Sequence, residues 1–206
     1  MLKVILKIYE LYEYNYLWGF GKGLFRMIHL KKLRKKYNFE EWHTSPKEFR
    51  PYTLDLIKYI NDRISMGTVV VEIGCGLGEI ISNIRCNARY GLDISPRVIQ
   101  AAIKMDQSNK NPKVVYRLGT FEDIQNLDIE YLIAVNFTQS IDSQSLRDSF
   151  AKICNNNNIN NIIVDDVPNY KFIHDFDTIL PSTFKLTYTS KPYNYGRKIL
   201  IYSRGG

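Results

Sequence analysis

Cysteine is scarce in this chain. Cys75, Cys86 and Cys154 form neither an even framework nor a CxxC pair. That excludes a disulfide-stapled scaffold, makes no provision for structural zinc, and fits a reducing, cytoplasmic compartment with no metal expected. Long apolar runs are missing too. No stretch approaches the roughly 18 to 20 residues a membrane span requires. Near the N-terminus, Lys7, Glu10 and Glu13 interrupt what would be the apolar core of a signal peptide. There is no internal repeat, so solenoid and propeller architectures are out.

Excess charge is missing from most of the chain as well. Nine of the 28 basic residues but only two of the 21 acidic ones precede position 37, so the whole net charge of +7 lies there and the remainder is balanced. A neutral main domain offers nothing to a phosphate backbone, and no nucleic-acid partner is expected.

What is present divides at about residue 38, into a basic, aromatic-rich helical segment (1–38) and a main domain (39–206). Val4, Ile5, Ile8, Leu11 and Tyr12 share one helical face, and Leu24, Phe25 and Ile28 form a second apolar patch. Between them lie Tyr12, Tyr14, Tyr16, Trp18 and Phe20, and LKKLRKK follows. Aromatic rings beside a Lys/Arg cluster suit an anionic membrane surface, and peripheral contact with the inner face of the membrane through residues 1–36 is the expectation. The competing reading packs this segment on its own domain or on a second subunit; the oligomeric state stays open.

Ser45-Pro46-Lys47-Glu48 has the form of a capping box, predicting a helix to about Ser65 that Pro51 kinks or restarts. Beyond Gly67, strands are predicted at Thr68–Ile73, Arg89–Asp93, Lys113–Arg117, Tyr131–Asn136 and Asn161–Asp165. Helices are predicted around Glu79–Ile84, Pro96–Met105, Phe121–Asn126 and Ser143–Cys154. Apolar strands alternating with helices make a parallel sheet covered on both faces. Thr183–Thr189 and Arg197–Ser203 flank SKPYNYG and close the chain as an antiparallel hairpin. The run NNNNINN reads as a polar turn entering the fifth strand.

VVVEIGCGLGEI joins the first strand to a loop with glycines at 74, 76 and 78. A dinucleotide loop needs GxGxxG, and its third glycine would stand where this chain has Glu79, whose carboxylate would face a pyrophosphate. The stretch instead resembles the first motif of the class I S-adenosylmethionine-dependent methyltransferases. The resemblance implies a Rossmann-like α/β fold: a seven-stranded, mostly parallel sheet with helices on both faces, a C-terminal antiparallel hairpin and here an N-terminal helical extension. It implies S-adenosyl-L-methionine as cofactor. Gly74, Gly76 and Gly78 would let the backbone approach the ligand, and Glu72 would favour its cationic methionine end. RYGLDIS places Asp93 where the family holds the ribose hydroxyls with a carboxylate, and Ile94 beside it joins the cofactor set. GTFEDI is like the segment lining the adenine, with Thr120 and Phe121 at the base and Glu122 or Asp123 accepting from the exocyclic amine. Asn136 closes the cofactor set.

The residues after the fourth strand, Asn136-Phe137-Thr138-Gln139, lack the (D/N)PP(Y/F) carried by enzymes that methylate exocyclic amines of DNA. A hydroxyl acceptor needs a base, and candidates are His43 and Asp165, with His29 read as structural. Trp42, Arg50, Tyr52, Phe137, Asp166 and His174 are the candidate acceptor-side residues; Arg50 or Tyr52 would meet the methionine carboxylate. WHTSPKEFRPY also resembles small bacterial methyltransferases of surface-polysaccharide assembly. That implies O-methylation of a sugar hydroxyl on a glycan or its lipid-linked precursor. A methyltransferase of a small soluble metabolite and a non-catalytic cofactor-binding partner subunit are the alternatives.

Overall fold

A computed structural model describes residues 16–107, 114–168 and 170–205. The apolar face expected from Val4 to Tyr12 lies outside them. Seven strands form one sheet in the order β3-β2-β1-β4-β5-β7-β6. They are β1 (Val69–Ile73), β2 (Ala88–Asp93), β3 (Val115–Leu118), β4 (Asp128–Ala134), β5 (Asn158–Asp166), β6 (Phe184–Thr189) and β7 (Lys198–Arg204). β1 to β5 run parallel, while β7 is antiparallel to both β5 and β6, as the terminal hairpin predicted. The helices are α1 (Tyr16–Tyr37), α2 (Pro51–Asn61), α3 (Pro96–Asp106), α4 (Ser143–Asn156) and the single turn α5 (Phe176–Ile179).

Alternation along the strands sends successive side chains to opposite faces, and both faces are apolar, so each needs helical cover. Val71, Ile73, Leu132, Ile162 and Val164 pack with Leu146, Phe150 and Ile153 of α4. Val70, Tyr131, Ile133 and Ile163 pack with Tyr52, Leu56 and Ile60 of α2. A third cluster seats Leu30 and Leu33 of α1 on Phe39, Leu77, Val98 and Ala101. α1 therefore packs on the main domain along one side.

Some local expectations are corrected. The Ser45 side chain forms no capping box: Lys47–Phe49 is a short 3-10 turn without a side-chain cap, and of the two readings of Pro51 the restart holds, since it begins α2. Glu79–Ile84 yields only a 3-10 turn at Ile81–Asn83: the Asn83 side chain takes the Glu79 carbonyl that a helical N–H would use, and the Asn83 N–H bonds Ile80 instead. Phe121–Asn126 likewise shortens to a turn at Phe121–Asp123. β5 starts inside the asparagine run. There Asn158 pairs in register with Asp128, and Asn160 and Asn161 donate to Glu130. Ser95-Pro96 does open α3, with Ser95 Oγ accepting from the Val98 N–H.

The chain leaves β1 for β2 on one side and returns from β3 to β4 on the other. The reversal falls between the carboxyl ends of β1 and β4, where open α/β sheets bind their ligands.

Candidate active site

Two clusters of side chains meet at that edge. The first surrounds the glycine loop. Gly74, Gly76 and Gly78 have φ of +65°, +55° and +75°, left-handed values that a side chain resists. Space excludes a side chain as well. A Cβ on Gly74 would stand 2.5 Å from the Phe137 ring, one on Gly76 would stand 3.1 Å from His43 Nδ1, and one on Gly78 would strike the Tyr116 hydroxyl. The loop is thus bare backbone, roofed by three rings.

Asp93, at the end of β2, fixes the loop. Its Oδ2 accepts from the Gly76 N–H at 3.0 Å and its Oδ1 from the Ser95 N–H at 2.9 Å. Each oxygen keeps a second lone pair for a ligand. Ile94 beside it is 75% exposed. His43 lies on the 3-10 turn Glu41–Thr44, half-buried over Gly76. Burial lowers its pKa against the opposing pull of Asp93 and Glu40, so the imidazole is neutral at pH 7. Trp42 is 72% exposed, its ring centroid 5.7 Å from that of His43.

Glu72 does not reach toward a ligand. It is buried under the loop, accepts from the Ile81 N–H at 3.0 Å, and burial pushes its pKa up to about 8. Its carboxyl is protonated at neutral pH and staples the loop's far end. Glu79 is buried too. Arg26 of α1 bonds it at 2.6 Å and Arg50 closes a second ion pair, so one buried carboxylate clamps α1 and the 47–50 turn onto the loop. Arg50 spends its Nη2 on Glu79, while its buried Nε has no partner, so a donor remains for the methionine carboxylate that the sequence assigned to it.

The second cluster joins four elements. Asn136 follows β4 with φ of +72°. Its Oδ1 accepts from the Tyr52 hydroxyl and from Arg197, both at 2.7 Å, and its N–H donates to Asp165 Oδ1 at 3.0 Å. Arg197 also pairs with Asp165 and sits 4.6 Å from the centre of the Tyr52 ring. Burial pushes the Asp165 pKa up to about 6, opposed by Arg197. Tyr52 is thus committed to Asn136. Asp165 is buried beyond the reach of solvent and neutralised by the Arg197 cation, which makes it a positioning group and corrects its reading as a base.

Other expectations fall at positions used differently. Phe121 is a core residue, its ring centroid 5.1 Å from Phe150 and 6.1 Å from Phe137. Asp123 closes a capping box with Thr120, and Glu122 pairs with Lys152. His174 Nε2 donates to the Thr138 carbonyl at 2.9 Å, and its Nδ1 lies 3.1 Å from Ser143 Oγ. With both nitrogens engaged, its ring ties the end of β4 to α4. Asp166 ends β5 in register with Lys198, and His29 is exposed on α1. Arg197, Arg26 and Tyr116 were not picked out from the sequence. Only Arg197 left a signal there: a hairpin returning beside β5 puts its first residues at the carboxyl edge. A surface groove of about 390 Å³ between Asn126 and Arg204 lies at the opposite, amino-terminal edge.

Strand order 3-2-1-4-5-7-6, a glycine loop after β1 and a carboxylate after β2 define the class: a Rossmann-like methyltransferase. A family model described as a methyltransferase domain matches residues 64–180, more than half of the chain, and the chain belongs to that family. No curated protein matches it by sequence. Among solved structures it is similar to magnesium protoporphyrin IX methyltransferase from Synechocystis PCC 6803 with bound S-adenosylmethionine. The identity is 15%, covering 88% of this chain and 93% of that one, with a TM-score of 0.68. It is also similar to the N-methyltransferase NodS from Bradyrhizobium japonicum WM9, in complex with S-adenosylhomocysteine, at 10% identity, 86% and 98% coverage and a TM-score of 0.66. TehB from Haemophilus influenzae follows at 12%, 84% and 66%, and 0.57. At such identities the likeness is one of fold. Membership of the family makes S-adenosylmethionine the cofactor, and the site fits it: three glycines strip Cβ atoms from the loop, and Asp93 retains acceptor capacity at the next strand end.

Proposed function

We propose that this methyltransferase methylates a hydroxyl oxygen on a sugar of a bacterial surface glycan or its lipid-linked precursor, with His43 as the base. The observation that carries the reading is the Trp42–His43 pair: a neutral, half-buried imidazole over Gly76 beside an indole that is 72% exposed. An exposed indole offers an apolar face on which the C–H side of a sugar ring stacks while its hydroxyls reach a neighbouring base. The loop glycines and Asp93 hold the cofactor, with Ile94 and Thr120 at its adenosine end. When bound, S-adenosylmethionine supplies a methyl group already activated on a sulfonium. The chain's own tasks are alignment, exclusion of water and removal of the hydroxyl proton.

An amine acceptor is disfavoured by the same geometry. Asn136 Oδ1, the acceptor an incoming amine would need after β4, already receives Tyr52 and Arg197. Phe137, packed over Gly74, and Asp166, at the end of β5, line the acceptor side in this reading.

Incubation of the protein and methyl-labelled cofactor with a cell-envelope glycan fraction tests the acceptor. The expected product is an alkali-stable methyl ether on a sugar; label confined to protein, RNA or small metabolites overturns the reading. His43→Ala should keep cofactor affinity and cut turnover about 10²- to 10⁴-fold. Because the His43 pKa is lowered from 6.5, wild-type turnover should hold through neutral pH and fall only below that value. Equal losses of affinity and turnover would make His43 structural.

A further inference from the structure

α1 has two sides of different chemistry. Leu30 and Leu33 are buried on the domain, with Arg26 paired to Glu79 on the same side. The opposite side exposes Phe20, Leu24, Phe25 and Ile28 in its N-terminal part and Lys31, Lys32, Lys35 and Lys36 in its C-terminal part. At about 100° per residue, these eight positions fall within about 160° of arc, open to solvent except at its edge, where the Phe20 ring centroid lies 5.9 Å from that of Phe49. Phe25 is 77% exposed. Among the described residues, no carboxylate forms a salt bridge with any of the four lysines.

We propose that this face docks on an anionic phospholipid bilayer, with α1 lying in the plane of the interface. The four apolar side chains enter the boundary between headgroups and acyl chains, and the lysines meet lipid phosphates. Apolar and cationic residues on one face are what such an interface binds, since acyl burial and headgroup attraction then act together. No helix among the described residues is long and apolar enough to cross a membrane, so the contact is one of surface. A second copy fits less well. Pairing α1 with α1 would set four lysines against four others, or against apolar side chains. The Arg26–Glu79 ion pair ties α1 to the glycine loop, so docking holds the rim of the active site near the bilayer. The inference stands on α1 and does not require the acceptor proposed above.

The test is co-sedimentation of the full chain with phosphatidylcholine vesicles, with and without phosphatidylglycerol. Binding is expected only to the anionic vesicles and should weaken as salt is raised. Phe25→Ser should weaken it about tenfold or more, the share of one buried aromatic ring. Lys32→Glu with Lys35→Glu should weaken it about thirtyfold or more. All these side chains are exposed, so melting temperatures should match the wild type. Equal binding to both vesicle types, or unchanged binding by both variants, overturns the proposal. So does a dimer in sedimentation equilibrium that Phe25→Ser converts to a vesicle-indifferent monomer.

Discussion

Changing pH across the titration of Glu72 reads out the interior of the glycine loop without touching its backbone. Glu72 is 3% exposed, and its pKa rises from 4.5 to about 8. Burial is the dominant cause, opposed by the Ile81 N–H and by Arg50 and reinforced by Asp93 and Glu79. At pH 7 the folded protein holds a proton that the unfolded chain has released. Stability is therefore highest below 4.5 on this account and is lost as pH rises toward 8. Inside the window each unit costs about 1.4 kcal/mol, so raising the pH from about 6 to about 8 should remove about 2 kcal/mol. Glu72→Gln is close in shape, keeps an oxygen for the Ile81 N–H and cannot titrate. Urea unfolding of both proteins without cofactor, across about pH 6 to 9, should give a falling profile for wild type and a flatter one for the variant. Asp165 titrates near 6 in both proteins and cancels in the difference. Parallel profiles would refute the reasoning. They would mean that Glu72 is ionised in the fold, which returns it to the cationic methionine end of the cofactor.

Two further outcomes are expected. Arg197→Met leaves the buried Asp165 without its cation and should destabilise the protein by about 3 to 5 kcal/mol in thermal or urea unfolding. Adding Asp165→Asn should recover most of that, and simple additivity of the two losses would deny the coupling. Gly78→Ala combines a positive φ with a clash on the Tyr116 hydroxyl, and should cost about 1 to 3 kcal/mol together with cofactor affinity by calorimetric titration. Tyr116→Phe beside it removes the nearest atom but leaves ring carbons 2.7 and 2.8 Å from the new Cβ, so recovery should be partial, and full recovery would show that the hydroxyl alone was the obstacle.

Reading Glu79 shows where sequence reasoning stopped. Its position rejected a dinucleotide loop, yet the carboxylate is buried between two arginines. Its partners, Arg26 and Arg50, are 53 and 29 residues away, and nothing local announces them. Asp165 was read as a base because it ends a strand on the ligand side. Arg197, 32 residues on, neutralises it and takes it out of reach. Phe121 has the right address beside β3, but α4 brings Phe150 against its ring and draws it into the core. The asparagine run looked like a turn because asparagine is a poor strand former, and pairing with β4 outweighed that propensity.

The sequence by itself determined what depends on near neighbours. Three glycines free of Cβ, a proline-started helix capped by Ser95, apolar strands of the right length and a Pro/Gly hairpin all act within a few residues. They were enough to specify the sheet and the loop, and the family resemblance they carry implied the cofactor class. Only the tertiary structure decided which charged groups remain free to do chemistry. Ion pairs and burial join residues tens of positions apart, so Glu79, Tyr52 and Asp165 became structural partners. His43, kept neutral by the same burial, was left over the loop with Trp42 exposed beside it.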